Sequence, residues 1–350
     1  MTHNTEHAAL LDLPAAPAVA LDPLARAAAS LRGKDLVSMQ DLSPAQAAAI
    51  LKLAHELKAA PERYRTALAS KQMAMFFEKP SLRTRITFEA GMNTLGGSAI
   101  FIDQSQSRLG ARESLRDVAL NLERWVQIVV LRTFAHATIT TIAEYSSIPV
   151  INALSDLEHP CQALADFMTL EERFGSLRRV KLAYVGDGNN VSHSLMLAAA
   201  LYGTRITVAT PPQYGPLPEY VTAARTIAES TGAVIELTND PLAAVAGADA
   251  VYTDVWASMG QESEAAERER IFSPYQVNDA LMSNAAPEAI FLHCLPAHRG
   301  AEVAASVLDG GQSAVYDQAE NRLHVQKALV LLLLGTTPGL QTAAPLTTPD

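Results

Sequence analysis

Phe76-Phe77-Glu78-Lys79-Pro80-Ser81-Leu82-Arg83-Thr84-Arg85 is the stretch from which the rest of the chain is read. The apolar run 73–77 predicts a buried strand, and Pro80 lies in the turn that follows. Ser81 then opens a predicted helix, with Phe88, Met92 and Leu95 on one face. A helix start presents unpaired backbone N–H groups and the positive end of a dipole. With Ser81, Arg83 and Thr84 placed there, the stretch describes an anion cradle, most simply for phosphate. The plain alternative is a capped helix carrying two surface arginines.

The alternation of strand and helix signals continues outward from this element. Strands are expected at 98–102, 128–131 and 150–151, with helices at 41–57, 114–125, 137–145 and 159–174. A second alternation starts at Lys181. It has strands at 182–185, 206–209, 234–237, 250–252 and 289–292, and a helix at 193–201. Such alternation implies an α/β fold: parallel sheets with helices on both faces. The two blocks suggest two domains with a hinge along 159–174. A last apolar helix, 325–334, is placed to pack back against the first domain.

Composition narrows the function classes. The 350 residues are 49% hydrophobic and 18% charged, which suits a globular chain with a large core. The net charge of -10 argues against a non-specific nucleic-acid binder, although a local cluster of arginines can still hold a small anion. The run 328–334 is too short to span a bilayer, so no membrane partner is expected. The first residues are acidic and lack the pattern of a signal peptide. Two cysteines, Cys161 and Cys294, make no disulfide framework and no structural zinc spacing. These features point to a cytoplasmic protein with reduced thiols and no structural zinc site. Residues 1–31, rich in Ala and Pro, are expected to form a mobile or loosely docked tail.

Ligands of open parallel sheets gather at the carboxyl ends of strands, and several polar motifs fall there. Arg132-Thr133 follows 128–131 and can serve as a second clamp on an anion or a carbonyl; otherwise it is a solvated loop. His159-Pro160-Cys161-Gln162 opens the long helix and puts His159 and Gln162 on one face, or simply caps the helix over a buried Cys. Gly186-Asp187-Gly188-Asn189-Asn190 suggests a dinucleotide loop. However, Val191 stands where a third Gly belongs, and no acidic residue ends 206–209. The paired Asn residues suit a small polar ligand with amine and carboxylate groups. After 250–252, Asp254 can hold a cationic amine and Ser258 a carboxylate. Cys294, in His293-Cys294-Leu295-Pro296-Ala297-His298, is a candidate nucleophile or polarisable donor, with His293 and His298 as candidate bases.

Taken in order, these motifs, together with Ser258-Met259-Gly260 and Glu320-Asn321-Arg322, resemble the ornithine carbamoyltransferases of the aspartate/ornithine carbamoyltransferase family over about residues 32–335. The resemblance implies two similar-sized domains joined by long interdomain helices. Residues 32–165, with helix 325–340 packing back, would bind carbamoyl phosphate, and residues 166–324 would bind L-ornithine. It further implies that Ser81, Leu82, Arg83, Thr84 and Arg322 hold the phosphate end, while Arg132 and His159 polarise the carbamoyl oxygen. Gln162 and the backbone at Cys294-Leu295 would orient the carbamoyl amine. Asn190, Asp254, Ser258 and Met259 would hold ornithine, with Cys294 beside the δ-amine. No metal or organic cofactor is implied. A trimer is, with Arg108 reaching a neighbouring subunit. Leu82 departs from the Thr common in the family, which keeps N-acylornithine or putrescine in view as alternative acceptors. A non-catalytic amino-acid or phosphate-binding protein on the same scaffold is the reading from another class.

Overall fold

The computed structural model describes residues 23–104, 108–257 and 262–337. The first sheet is built from β1 (Gln72–Phe77), β2 (Ser98–Asp103), β3 (Ile128–Arg132) and β4 (Val150–Leu154), in the order β2-β1-β3-β4. The second is built from β5 (Lys181–Val185), β6 (Arg205–Ala209), β7 (Val234–Thr238), β8 (Ala250–Thr253) and β9 (Ile290–His293), in the order β7-β6-β5-β8-β9. All pairings between these strands are parallel. The central strand β3 is buried at every position, which explains its unbroken apolar sequence. Helices flank both sheets, as an α/β chain requires, and every strand expected from the sequence is present.

Strand order reverses between β1 and β3 in the first sheet and between β5 and β8 in the second. Each reversal opens a crevice at the carboxyl ends of its strands. The anion-cradle stretch follows β1, and Arg132 is the last residue of β3. Gly186–Asn190 and Asp254 follow β5 and β8. A continuous buried cluster runs from Met75 through Phe167 and Leu197 to Tyr184, so one apolar core links the two sheets.

Several boundaries differ from expectation, each for a local reason. The helix Pro44–Ala59 starts later than residue 41 because Ser43 caps it, with Gln46 bonding back to the cap. The helix after β5 starts earlier, at Asn190, because the Asn189 side chain accepts the N–H groups of Val191 and Ser192. The last helix is Val315–Leu334, beginning well before residue 325. Its first half carries Gln318, Asn321 and Arg322, which are buried and hydrogen-bonded, so the apolar period is interrupted where the helix is in fact inside. This helix packs on Pro160–Phe174, Pro44–Ala59 and Leu82–Thr94. Residues 1–22 of the expected tail lie outside the described residues. Beyond them the chain is helical at Pro23–Ala29, with Ala27, Ala28 and Leu31 buried, so this part of the tail is docked. Among the described residues no helix is long and apolar enough to cross a membrane.

The glycine-rich turn after β5 has a structural cause. A Cβ on Gly188 would lie 2.3 Å from the backbone of Gly215 and Pro216, and Gly188 N–H donates to the Tyr214 carbonyl at 2.8 Å. Gly188 is therefore set by a close backbone approach, without any dinucleotide. Gly188→Ala is expected to destabilise the fold by about 1–3 kcal/mol through overpacking, read as a lower urea midpoint with unchanged m-value. An unchanged midpoint would show that the Gly215 loop moves aside freely.

Candidate active site

The cradle begins with an extended residue. Ser81 has φ -157° and caps the helix Leu82–Thr94, its hydroxyl accepting from Thr84 N–H at 3.2 Å. The Leu82 side chain is 70% exposed, so what this residue can offer an anion is its backbone N–H. The two arginines divide. Arg85 turns outward to Glu89 (3.0 Å) and lies over the Phe101 ring. Arg83 is partly buried, and desolvation lowers its pKa. Thr84 is fully buried, and its hydroxyl accepts from Arg322 Nη2 at 2.7 Å.

Arg322 ties this cradle to the long helix Pro160–Phe174. Its Nη1 donates to Gln162 Oε1 at 2.8 Å, and Gln162 Nε2 donates to Asp166 Oδ1 at 2.7 Å. Arg132, at the end of β3, is buried, and burial with Arg322 and Arg83 nearby pushes its pKa down to about 9. His159 occupies the cap position of the long helix. Burial, then Arg322, Arg132 and Arg83, hold its imidazole well below the usual range, so it is neutral. Its backbone N–H donates to Ser194 at 2.9 Å, fixing the entry of the helix against the second half of the chain. Among the described residues, Arg132 Nε, Arg322 Nε and His159 Nδ1 are buried polar atoms with no partner within the protein. Three guanidinium groups thus converge on a neutral imidazole, an arrangement suited to an anion and to a developing negative charge.

The second sheet supplies the other side. Asp254 follows β8 and is buried; its Oδ2 accepts from Asn189 Nδ2 at 2.8 Å and its Oδ1 from the Cys294 thiol at 3.0 Å. Desolvation, then Asp254, push the Cys294 pKa well above its usual value, so it is a thiol and not a thiolate nucleophile. The expected bases do not serve it. His293 is turned away, its Nδ1 accepting from Leu295 N–H at 2.8 Å and its Nε2 meeting Glu302 at 3.2 Å. The exposed His298 side chain approaches Glu302 instead, at 3.6 Å. Leu295 sits at φ 58°, ahead of a cis bond to Pro296; its N–H is taken by His293, which leaves its carbonyl as the group that can orient an amine. Asp254, His293 and Cys294 offer three ligand atoms within 4.8 Å of one another, yet each is engaged by the hydrogen bonds just given.

The structure thus brings Ser81, Arg83, Thr84, Arg132, His159, Gln162 and Arg322 together, with Cys294 near enough to act on the charges of Arg83, Arg132 and Arg322. Asn190 gives its amide to the Ser155 carbonyl at 2.7 Å, and it is Asn189, one residue earlier, that contacts Asp254. Ser258 and Met259 lie outside the described residues. Arg108 is exposed and stacks on Phe134 of its own chain, where Lys79 also lies over the ring. Sequence reasoning paired Asn189 with Asn190 but gave the ornithine role to Asn190, and it missed Asp166 and Gln318. For Asp166 a signal existed: an acid one helical turn beyond Gln162 shares its face.

Comparison with known proteins agrees with this geometry. Residues 34–172 match the family model described as aspartate/ornithine carbamoyltransferase, carbamoyl-P binding domain. Residues 178–333 match its Asp/Orn binding domain. The ornithine carbamoyltransferase of Symbiobacterium thermophilum is 50% identical over 310 residues, covering 87% of this chain and 99% of that protein. That of Bacillus subtilis is 51% identical, covering 87% and 95%. The solved ornithine carbamoyltransferase from Pyrococcus furiosus superposes with a TM-score of 0.85 at 46% identity, covering 87% of this chain and 98% of that one. Both halves of the fold and nearly the full length of these relatives are accounted for, and the chain belongs to the aspartate/ornithine carbamoyltransferase family.

Proposed function

We propose that the protein transfers the carbamoyl group of carbamoyl phosphate to the δ-amine of L-ornithine, giving L-citrulline and phosphate. The observation that carries this reading is the cluster of Arg83, Arg132 and Arg322 around neutral His159 at the first sheet's crevice, closed from the second sheet by Asp254 and Cys294. The phosphate of the donor fits the helix start at Ser81-Leu82-Arg83-Thr84, with Arg322 alongside. Arg132 and His159 act on the carbamoyl oxygen. Gln162 and the Leu295 carbonyl take the carbamoyl NH2.

Attack then proceeds without a covalent enzyme intermediate. The uncharged δ-amine adds to the carbamoyl carbon, and the carbonyl oxygen gains the negative charge that Arg132 faces. Collapse of the tetrahedral adduct breaks the bond to phosphate, which leaves with the bond's electron pair and takes up the proton that the attacking nitrogen loses. Holding both reactants in near-attack geometry contributes on the order of 7–11 kcal/mol relative to free encounter. Asp254 and Asn190 belong to the ornithine half, and Asn189 joins them through its bond to Asp254. Ser258 and Met259 are assigned there from the sequence resemblance. We further read the protein as cytoplasmic from its two unpaired cysteines, and, on the resemblance, as trimeric with Arg108 in contact with a neighbouring subunit.

The deciding experiment incubates pure protein with carbamoyl phosphate and ornithine, N-acylornithine or putrescine in turn, and measures the ureido product. Product with ornithine is expected. Product with another amine alone would replace the acceptor, and no turnover with any would favour a binding protein. The same assay carries a pH prediction. His159 is held neutral by its lowered pKa and Cys294 protonated by its raised one, so neither changes charge between about pH 6 and 8. The alkylamine of ornithine, with a pKa of about 10, loses its proton progressively as pH rises, so turnover is expected to climb across that window. A flat profile for the chemical step would count against attack by the free amine.

A further inference from the structure

Asp166 lies one turn beyond Gln162 in the long helix and is fully buried. Its Oδ1 accepts from two amides, Gln162 Nε2 at 2.7 Å and Gln318 Nε2 at 2.6 Å. An amide has a donor end and an acceptor end, so an oxygen that takes both NH2 groups turns both carbonyl oxygens the other way. The Gln162 oxygen then meets Arg322 Nη1 at 2.8 Å. The Gln318 oxygen meets the backbone N–H of His293 at 3.0 Å, one residue before Cys294. Reversing either amide would set N–H against N–H. Tyr252, on β8, adds a hydroxyl 3.2 Å from Gln318 Nε2.

We propose that Asp166 is a positioning residue for the transfer: by fixing the orientation of the Gln162 and Gln318 amides it aligns Arg322 with the carbamoyl donor and the end of β9 with the acceptor amine. One acceptor atom thereby couples the two halves of the site from beneath. It touches neither substrate. The geometry also survives titration. Burial pushes the Asp166 carboxyl up to about 7 against the hydrogen bonds from Gln162, Gln318 and Tyr252. Its Oδ2 has no partner within the protein, so a proton carried there leaves Oδ1 an acceptor.

The inference rests on the proposed activity. Turnover by the parent enzyme tests that activity alone, and the ratios between variants test this one. Asp166→Asn keeps an acceptor at Oδ1, whereas Asp166→Leu keeps the shape and removes it. Asp166→Asn is expected to stay within about threefold of the parent in kcat/KM, and Asp166→Leu to lose about 100-fold, shared between kcat and the KM for carbamoyl phosphate. In a Gln162→Ala background, Asp166→Leu is expected to cost clearly less than it does alone, because one of the two amides it orients is already gone while Gln318 remains. Should Asp166→Leu not fold, Asp166→Ala replaces it with the same expectation. Asp166→Asn as poor as Asp166→Leu, an acceptor-free variant as active as the parent, or losses at Gln162 and Asp166 that multiply independently would each overturn the proposal.

Discussion

Arg132→Met is expected to lower kcat with ornithine by about 100- to 1,000-fold while the protein remains folded, the range found when one donor to a developing oxyanion is removed. Arg132 ends a central strand, so its backbone position is set by the sheet rather than by a flexible loop. Its side chain is buried beside Arg322 and Arg83, and this crowding disfavours its charge in the free enzyme. A negative charge on the carbamoyl oxygen relieves that penalty, and the relief is largest when the charge is largest, in the transition state. The loss should therefore appear mainly in kcat. Met preserves most of the apolar stem. Removing one of three mutually repelling cations should also leave the melting temperature unchanged or raised, the usual trade between stability and a strained site. Single-turnover product formation and a thermal melt of the same preparation check both halves. A kcat within about tenfold of the parent would take Arg132 out of the oxyanion role.

Asp254→Asn is expected to weaken the ornithine half alone. The variant keeps an oxygen able to accept from the Cys294 thiol or from Asn189, so local packing is retained. What disappears is a buried negative charge at the mouth of the second crevice. A charge-assisted bond to an ammonium group contributes about 1.5–3 kcal/mol, so kcat/KM for ornithine should fall by about 10- to 100-fold. The KM for carbamoyl phosphate should not move. A parallel rise in both constants would place Asp254 in the architecture of the site rather than in acceptor binding, and steady-state kinetics with each substrate varied separately decide between the two.

Much of the fold was legible because its inner strands are buried on both faces and read as unbroken apolar runs, as β3 does. The anion cradle was legible because capping has a residue signature, and Ser81 uses it. The larger losses share one cause. Where polar side chains are buried and bonded to each other, the pattern imitates a surface. Gln318, Asn321 and Arg322 therefore hid ten residues of the last helix. The same blindness hid Asp166, whose function lies in the direction of two amides. Which of two adjacent asparagines meets Asp254 depends on one step of helix phase, and the sequence pattern carries no such angle. The direction of the His293 ring is set by Leu295 N–H and Glu302, contacts formed only once the loop has folded.

The packing of Val315–Leu334 against helices of the first half bears on the order in which the molecule is completed. Arg322 bonds to Thr84 across 238 residues of sequence, and Gly33 N–H bonds to the Leu333 carbonyl. A chain emerging from the ribosome displays the cradle and the apolar faces around it long before the segment that covers them is synthesised. The first sheet is thus made early and finished last. A nascent chain stalled before Val315 is expected to bind chaperones through that open face, and the site gains its third guanidinium only when translation is nearly over.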